Sequence, residues 1–343
     1  EYERAALAVI NAFVRPAVER HVGTLVEGLR ERGVRTPARV ARSNGGAELA
    51  TSLLERPAAA VLSGPAAGVA GAALAARWAG LPDGDLVTFD VGGTSADIGL
   101  IRAGRPVLSS EETMAGFPLL LPTVAVSAIG AGGGSILWVD DAGALRVGPR
   151  SVGADPGPAC YGSAAGQAAL TDAFLVAGLL DAEQPLGDTI ALHRAPAERA
   201  LTELGAGIGM DAAQVADGAV RIATAVMAAN TIKVLARRGV DATDSTLIAY
   251  GGAGPLLAAL VAAECGVRRV LVPAVPGALC ALGATFGDTE GDLVEPVYRL
   301  TDGMPAADLR SAHARLAARV EAWAARQGAG AGRAAVTLLA DMR

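Results

Sequence analysis

Residues 86–101, LVTFDVGGTSADIGLI, hold two apolar runs that meet across Gly92-Gly93-Thr94-Ser95. A chain containing this string must build around a buried two-stranded unit. Asp90 closes the first run and Asp97 opens the second. Glycines at such a turn permit positive φ and let backbone N–H groups come close to an anion. Thr94 and Ser95 add hydroxyls, and the carboxylates of Asp90 and Asp97 are the oxygen ligands that suit magnesium. A plain hairpin with a Gly-Gly turn also fits the string. Asp on both shoulders and Thr-Ser in the turn favour a loop that handles phosphate.

A second unit lies later in the chain. A strand over 246–250 leads into Gly251-Gly252-Ala253-Gly254-Pro255, then a helix over 256–265 and a strand over 269–272. This order is a parallel α/β unit with its glycines at the carboxyl end of a strand, where open α/β sheets place ligands. Pro255 suits the first helical turn. No Walker A string occurs, and Leu257 stands where a dinucleotide fingerprint needs its last glycine. The two glycine turns together predict a mixed-sheet α/β domain of the actin-like or sugar-kinase-like ATPase type. One turn there wraps phosphates and the other lies against adenosine.

Around these units the periodicity predicts helices over 1–33 (with a kink at Pro16), 47–54, 66–78, 211–238, 276–284 and 306–327. Strands are expected over 38–43, 119–129, 136–139, 144–147 and 335–340, with a rigid Pro/Gly loop over 153–162. The glycine run Gly130-Ala-Gly132-Gly133-Gly134-Ser135 interrupts the β region.

Composition narrows the chemistry. With 343 residues and 52% hydrophobic content the chain can bury a large core, and a net charge of −6 argues against a nucleic-acid surface. Cys160, Cys265 and Cys280 show no paired spacing, which fits a reducing, cytoplasmic setting and no disulfide framework or zinc site. His21, His193 and His313 are too scattered for a catalytic cluster. The uncharged stretches 57–76 and 113–139 are broken by Ser-Gly-Pro, prolines and the glycine run, so neither reads as a membrane span.

The motif set resembles the central domain of the hydantoinase A / 5-oxoprolinase family. The strings Ser43-Asn-Gly-Gly46, Ser63-Gly-Pro-Ala-Ala-Gly68, Asp90-Val-Gly-Gly-Thr-Ser-Ala-Asp97 and Gly130-Ala-Gly-Gly-Gly-Ser135 carry the resemblance. The strings Gly153-Ala-Asp-Pro-Gly-Pro-Ala-Cys-Tyr-Gly162, Thr171-Asp172, Tyr250-Gly-Gly-Ala-Gly-Pro255 and Pro276-Gly277 continue it in family order. It covers residues 1 to 290, with 291–343 expected to open a further, truncated C-terminal domain.

The resemblance implies ATP-dependent ring opening of a cyclic amide, such as a hydantoin or 5-oxoproline, by an A-type subunit that phosphorylates the carbonyl oxygen. It implies ATP and Mg2+ as cofactors and a hetero-oligomer with a hydantoinase B-type subunit. Gly92, Gly93, Thr94 and Ser95 would hold phosphate, and Asp90 and Asp97 would be the catalytic, magnesium-organising carboxylates. Gly251, Gly252 and Gly254 would contact adenosine. Gly132, Gly133, Gly134 and Ser135, with residues 155–157, would lie near the cleft.

Two other roles fit the same resemblance: the β subunit of an ATP-dependent ketone carboxylase, and a non-catalytic nucleotide-binding scaffold. Family members commonly have Thr at the position of Ala96, an Asp-x-His or Asp-x-Asn pattern at Ala125-Val126-Ser127, and Ser at Cys280. They also carry an amino-terminal lobe with another phosphate loop, so this chain is expected to be a fragment that is inactive by itself.

Overall fold

A computed structural model describes residues 2–81, 84–162, 167–187, 189–295, 297, 304–328 and 335–338. The central strands β1 (Leu86–Val91) and β2 (Ala96–Arg102) form the expected antiparallel hairpin, with Asp90 directly opposite Asp97. On its outer side β2 pairs antiparallel with β3 (Val126–Ile129). On the other side β1 pairs parallel with β4 (Thr246–Tyr250), which pairs parallel with β5 (Arg269–Leu271). The order is therefore β3-β2-β1-β4-β5, and the two-residue strand Arg105–Pro106 adds to β2. The sheet is mixed, as anticipated.

Both faces of the sheet are covered by helices. Successive side chains of a strand point to opposite faces. Val87, Phe89 and Val91 of β1, Ile98 and Leu100 of β2 and Leu247 of β4 accordingly meet one helical layer. That layer contains α2 (Ala212–Arg237) and α3 (Gly254–Cys265). Leu86, Ile101, Ile248 and Tyr250 face the other way and pack on α1 (Ser63–Trp78) and on Leu279 of α4 (Leu279–Phe286). The same alternation puts Thr88, Asp90, Asp97 and Gly99 on the α1/α4 face. α2 is long and apolar enough to cross a membrane, but here it buries Val215, Ala219, Ala223, Met227 and Leu235 in the core.

Glycine and alanine let α1 and α4 approach almost backbone to backbone. A Cβ on Gly71 would stand 2.6 Å from the Leu279 carbonyl, and one on Gly283 would run into the Ala67 carbonyl. The abundance of small residues is thus a packing device between these two helices.

Several local expectations changed. The first helix spans Tyr2 to Glu31 with Pro16 inside it, slightly shorter than expected. Residues 47–54 are not one helix: Ala47–Leu49 is a strand paired antiparallel with Arg39–Ala41, followed by the short helix Ala50–Leu53. Long-range pairing overrides the helical propensity of this Ala-Glu-Leu stretch, because Glu48 is fully buried with its Oε1 3.2 Å from Arg42 Nε. Only Thr123–Val124 and Val126–Ile129 are extended within 119–129. Residues 335–338 are not a strand, and 339–340 lie outside the described residues.

The carboxyl-terminal part of the chain returns to this amino-terminal hairpin. Arg42 donates to the Glu290 carbonyl (2.8 Å) and lies 3.5 Å from Asp292, which also accepts from Asn44 (2.7 Å). Past the helix Ala306–Arg326, Gln327 accepts from the Leu49 N–H and donates to Ser52, both at 2.8 Å.

The helix crossing makes a stability prediction. Gly71→Ala and Gly283→Ala should each destabilise the chain by about 1–3 kcal/mol, because rigid backbone cannot yield to the added methyl. Gly64→Ala, in the same helix with nothing within 4 Å, should instead stabilise it by roughly 0.5–1 kcal/mol. Denaturant unfolding of the three variants measures the contrast.

Candidate functional site

The carboxyl edge of the sheet gathers the glycine loops. Because β1 and β4 are parallel neighbours, the turn after Val91 and the turn after Tyr250 leave the sheet side by side. The Ala253 N–H donates to the Val91 carbonyl at 2.9 Å. A Cβ on Gly251, whose φ is +80°, would collide with Asp90 Oδ1. From the other flank, Gly133 N–H donates to the Gly92 carbonyl (2.9 Å) and Gly134 N–H to the Gly93 carbonyl (2.6 Å). All the residues singled out from the sequence, Asp90 to Asp97, Gly132 to Ser135 and Gly251 to Gly254, therefore belong to one connected edge.

These bonds orient the hairpin turn. The carbonyls of Val91, Gly92 and Gly93 all face inward to neighbouring loops. Among the described residues the N–H groups of Gly93, Thr94 and Ser95 have no backbone acceptor, and Gly93 and Thr94 are exposed. The peptide units that carry the Gly93 and Thr94 N–H groups have their carbonyls held inward, and two outward N–H groups on an exposed turn make an anion cradle. Neither Gly92 nor Gly93 has positive φ, so backbone conformation is not what requires glycine there.

The site glycines divide into two kinds. A Cβ on Gly132 would stand 2.8 Å from the Gly92 carbonyl oxygen, one on Gly134 2.9 Å from that of Gly93, and one on Gly254 3.1 Å from that of Phe89. With Gly251, these are glycines because backbone packs on backbone. A Cβ on Gly93 or Gly252 would meet nothing within 4 Å. Packing within the chain places no demand on those two positions, and both border the open side of the edge.

Asp90 and Asp97 are each half-buried. Burial raises the Asp90 carboxyl above its ordinary range, opposed by the Cys280 thiol, which donates to Oδ2 at 3.4 Å. Burial also raises Asp97, helped by the Asp90 charge and opposed by a hydrogen bond from Ser95. The Cys280 thiol is itself pushed up to about 12, first by burial and then by Asp90, which keeps it a donor. Among the described residues no group of three or more metal-ligating side chains assembles. Two adjacent carboxylates fit magnesium, which typically takes one or two carboxylates and completes its shell with water and phosphate oxygens.

Support comes from residues that sequence reasoning noted only as family strings. Asp172, fully buried, accepts N–H groups from Ala159 (3.2 Å), Cys160 (2.7 Å) and Ala169 (2.8 Å). It thereby pins the loop over 153–162. Thr171 donates both its N–H and its hydroxyl to the Gly133 carbonyl, each at 2.7 Å. Val152 N–H donates to Gly134. Residues 155–157 thus join the site only through their neighbours. Asp172 lies in the first turn of the helix Leu170–Val176 and accepts the N–H of Ala169 at its N-cap, as the acidic half of a capping box does.

A model of the hydantoinase/oxoprolinase family matches residues 4–292. The chain is 35% identical over 314 residues to an uncharacterized protein of Methanocaldococcus jannaschii, covering 88% of this chain and 46% of that one. It is 35% identical over 293 residues to the caprolactamase subunit alpha of Pseudomonas jessenii, covering 85% and 42%. The solved ATP-dependent caprolactamase of that organism superposes with a TM-score of 0.79 at 32% identity, over 97% of this chain and 48% of that one. A nucleotide-free acetone carboxylase superposes with a TM-score of 0.76 at 25% identity, over 90% and 44%. The chain spans less than half the length of these relatives.

Two predictions arise from the site. Gly132→Ala should destabilise the fold by about 1–3 kcal/mol, whereas Gly93→Ala should shift stability by no more than about 0.5 kcal/mol. The second concerns pH. Raised carboxyls hold protons more tightly in the folded than in the unfolded chain, so their contribution to stability is present at acid pH and is lost as pH rises through the raised values. In metal-free buffer Asp97→Asn should therefore melt above the wild type near neutral pH, with the gain shrinking towards about pH 4.

Proposed function

The chain belongs to the hydantoinase/oxoprolinase family, and from that premise we propose that it supplies the nucleotide-phosphate side of an ATP-dependent enzyme that opens a cyclic amide. The observation that carries this reading is the pair of outward N–H groups at Gly93 and Thr94, beside the hydroxyls of Thr94 and Ser95. The pair is framed by Asp90 and Asp97 and abuts the Gly251 to Gly254 turn.

In this reading the N–H groups of Gly93 and Thr94 and the hydroxyls of Thr94 and Ser95 hold the nucleotide phosphates. Gly252, free of intrachain packing, allows adenosine to lie against bare backbone. Asp90 and Asp97 hold magnesium directly or through water. ATP supplies the phosphoryl group that turns a carbonyl oxygen of the ring into a leaving group. The protein's part in such a transfer is positioning and charge neutralisation. The substrate class is a hydantoin, 5-oxoproline or another lactam, in line with a family whose relatives include a caprolactamase.

A ketone carboxylase is the second reading, favoured by the likeness to acetone carboxylase over 90% of this chain. Relatives named as subunits of caprolactamase and of acetophenone and acetone carboxylases support a hetero-oligomer in either case. In our reading substrate turnover requires the remaining length of those relatives and a B-type subunit, since two lobes are needed to exclude water and align the phosphate with its acceptor.

Phosphate release with ATP, magnesium and a panel of lactams and hydantoins, or with ketone plus bicarbonate, separates the two chemistries. Lactam-dependent release by the assembled enzyme is expected. Release only with ketone and bicarbonate would select the carboxylase, and robust lactam turnover by residues 1–343 alone would overturn the two-lobe requirement. Asp90→Asn should lower magnesium-dependent turnover of the assembled enzyme at least about tenfold, the loss of roughly 1.4 kcal/mol of transition-state stabilisation.

A further inference from the structure

Among the described residues, Cys280, in the first turn of α4, is the side chain that donates a hydrogen bond to Asp90: its thiol reaches Oδ2 at 3.4 Å. The other oxygen, Oδ1, lies against Gly251, where a Cβ would collide with it. Behind the thiol the backbone of α1 closes the space. A Cβ on Gly68 would stand 2.9 Å from Cys280 Sγ and 2.8 Å from the Tyr250 hydroxyl. Tyr250 is buried at the carboxyl end of β4, hydrogen-bonded to Thr88 of β1. The thiol is thus wedged between α1 and Asp90.

Resting on the nucleotide reading above, we infer that Cys280 is a positioning residue that fixes the rotation of the Asp90 carboxylate. A carboxylate with one oxygen engaged by a fixed donor and the other abutting Gly251 has its plane determined before any ligand arrives. Such prior orientation spares a ligand the cost of ordering the group. The α1/α4 crossing then matters to the site as well as to the core, because it sets the depth of Cys280 behind Asp90.

The test uses the whole chain and titration calorimetry with ATP, once with magnesium and once with a chelator, alongside melting curves. Cys280→Ala removes the donor, and Cys280→Ser keeps one. Expected is a roughly five- to tenfold loss in Cys280→Ala of the affinity gained from magnesium, with chelated ATP binding and melting temperature unchanged. Cys280→Ser should recover most of that loss. An unaltered magnesium gain in Cys280→Ala would overturn the inference. So would an equal loss in both variants together with lowered melting, since that is the signature of packing. Absence of any magnesium-dependent ATP binding in the wild type would overturn the nucleotide reading itself, and it is recognised without reference to either variant.

Discussion

Three consecutive carbonyls, those of Val91, Gly92 and Gly93, are each engaged by an N–H from elsewhere in the chain, and the candidate site depends on that engagement. A peptide unit whose oxygen is held inward has its N–H directed away from that anchor, because donor and acceptor lie on opposite sides of the planar group. Ala253 anchors the turn from the parallel neighbour strand, and Gly133 and Gly134 anchor it from the loop after β3. Thr171 anchors Gly133 in turn, and Asp172 fixes the helix start on which Thr171 sits. An exposed turn of small residues is thereby held in one geometry by partners drawn from distant parts of the sequence.

Much of this fold was legible from local pattern. The hairpin over 86–101 and the strand-glycine-helix-strand unit over 246–272 have strong apolar periods bounded by glycine and proline, so their form follows from a few neighbouring residues. The strand Ala47–Leu49 was not legible, because its conformation is decided by pairing with Arg39–Ala41 and by burial of Glu48 against Arg42. The glycine and carboxylate strings singled out as a set meet at one edge, yet the individual reasons for their residues were hidden. Nothing in the sequence separates Gly132, which makes room for the Gly92 backbone, from Gly93, which faces open space. That distinction exists only once loops remote in sequence have been brought into contact. Asp172 and Cys280 escaped for the same cause, since their hydrogen bonds join elements that local periodicity treats separately.

The electrostatics of the edge run against stability. Two facing carboxyls, both raised by burial and one raised further by the other, are an arrangement a core would avoid. Hydrogen bonds from Cys280 and Ser95 offset the burden only in part. Perturbed carboxyls concentrated at one sheet edge mark a candidate functional site, and the rest of the fold offsets their cost, in part through the close packing of α1 on α4.

The ion cluster that joins Arg42 and Asn44 to Asp292 sets a schedule for synthesis. Asn44 and Asp292, joined at 2.7 Å, are separated by 248 positions. At bacterial or eukaryotic elongation rates of 5–20 residues per second, that separation amounts to roughly 12–50 seconds. Throughout that interval Arg42 and Glu48 have each other but not Asp292. The Arg39–Ala41 and Ala47–Leu49 hairpin must therefore wait, incompletely enclosed, for residues translated after the whole central sheet. Through that interval the nascent chain leaves the hairpin open to chaperones.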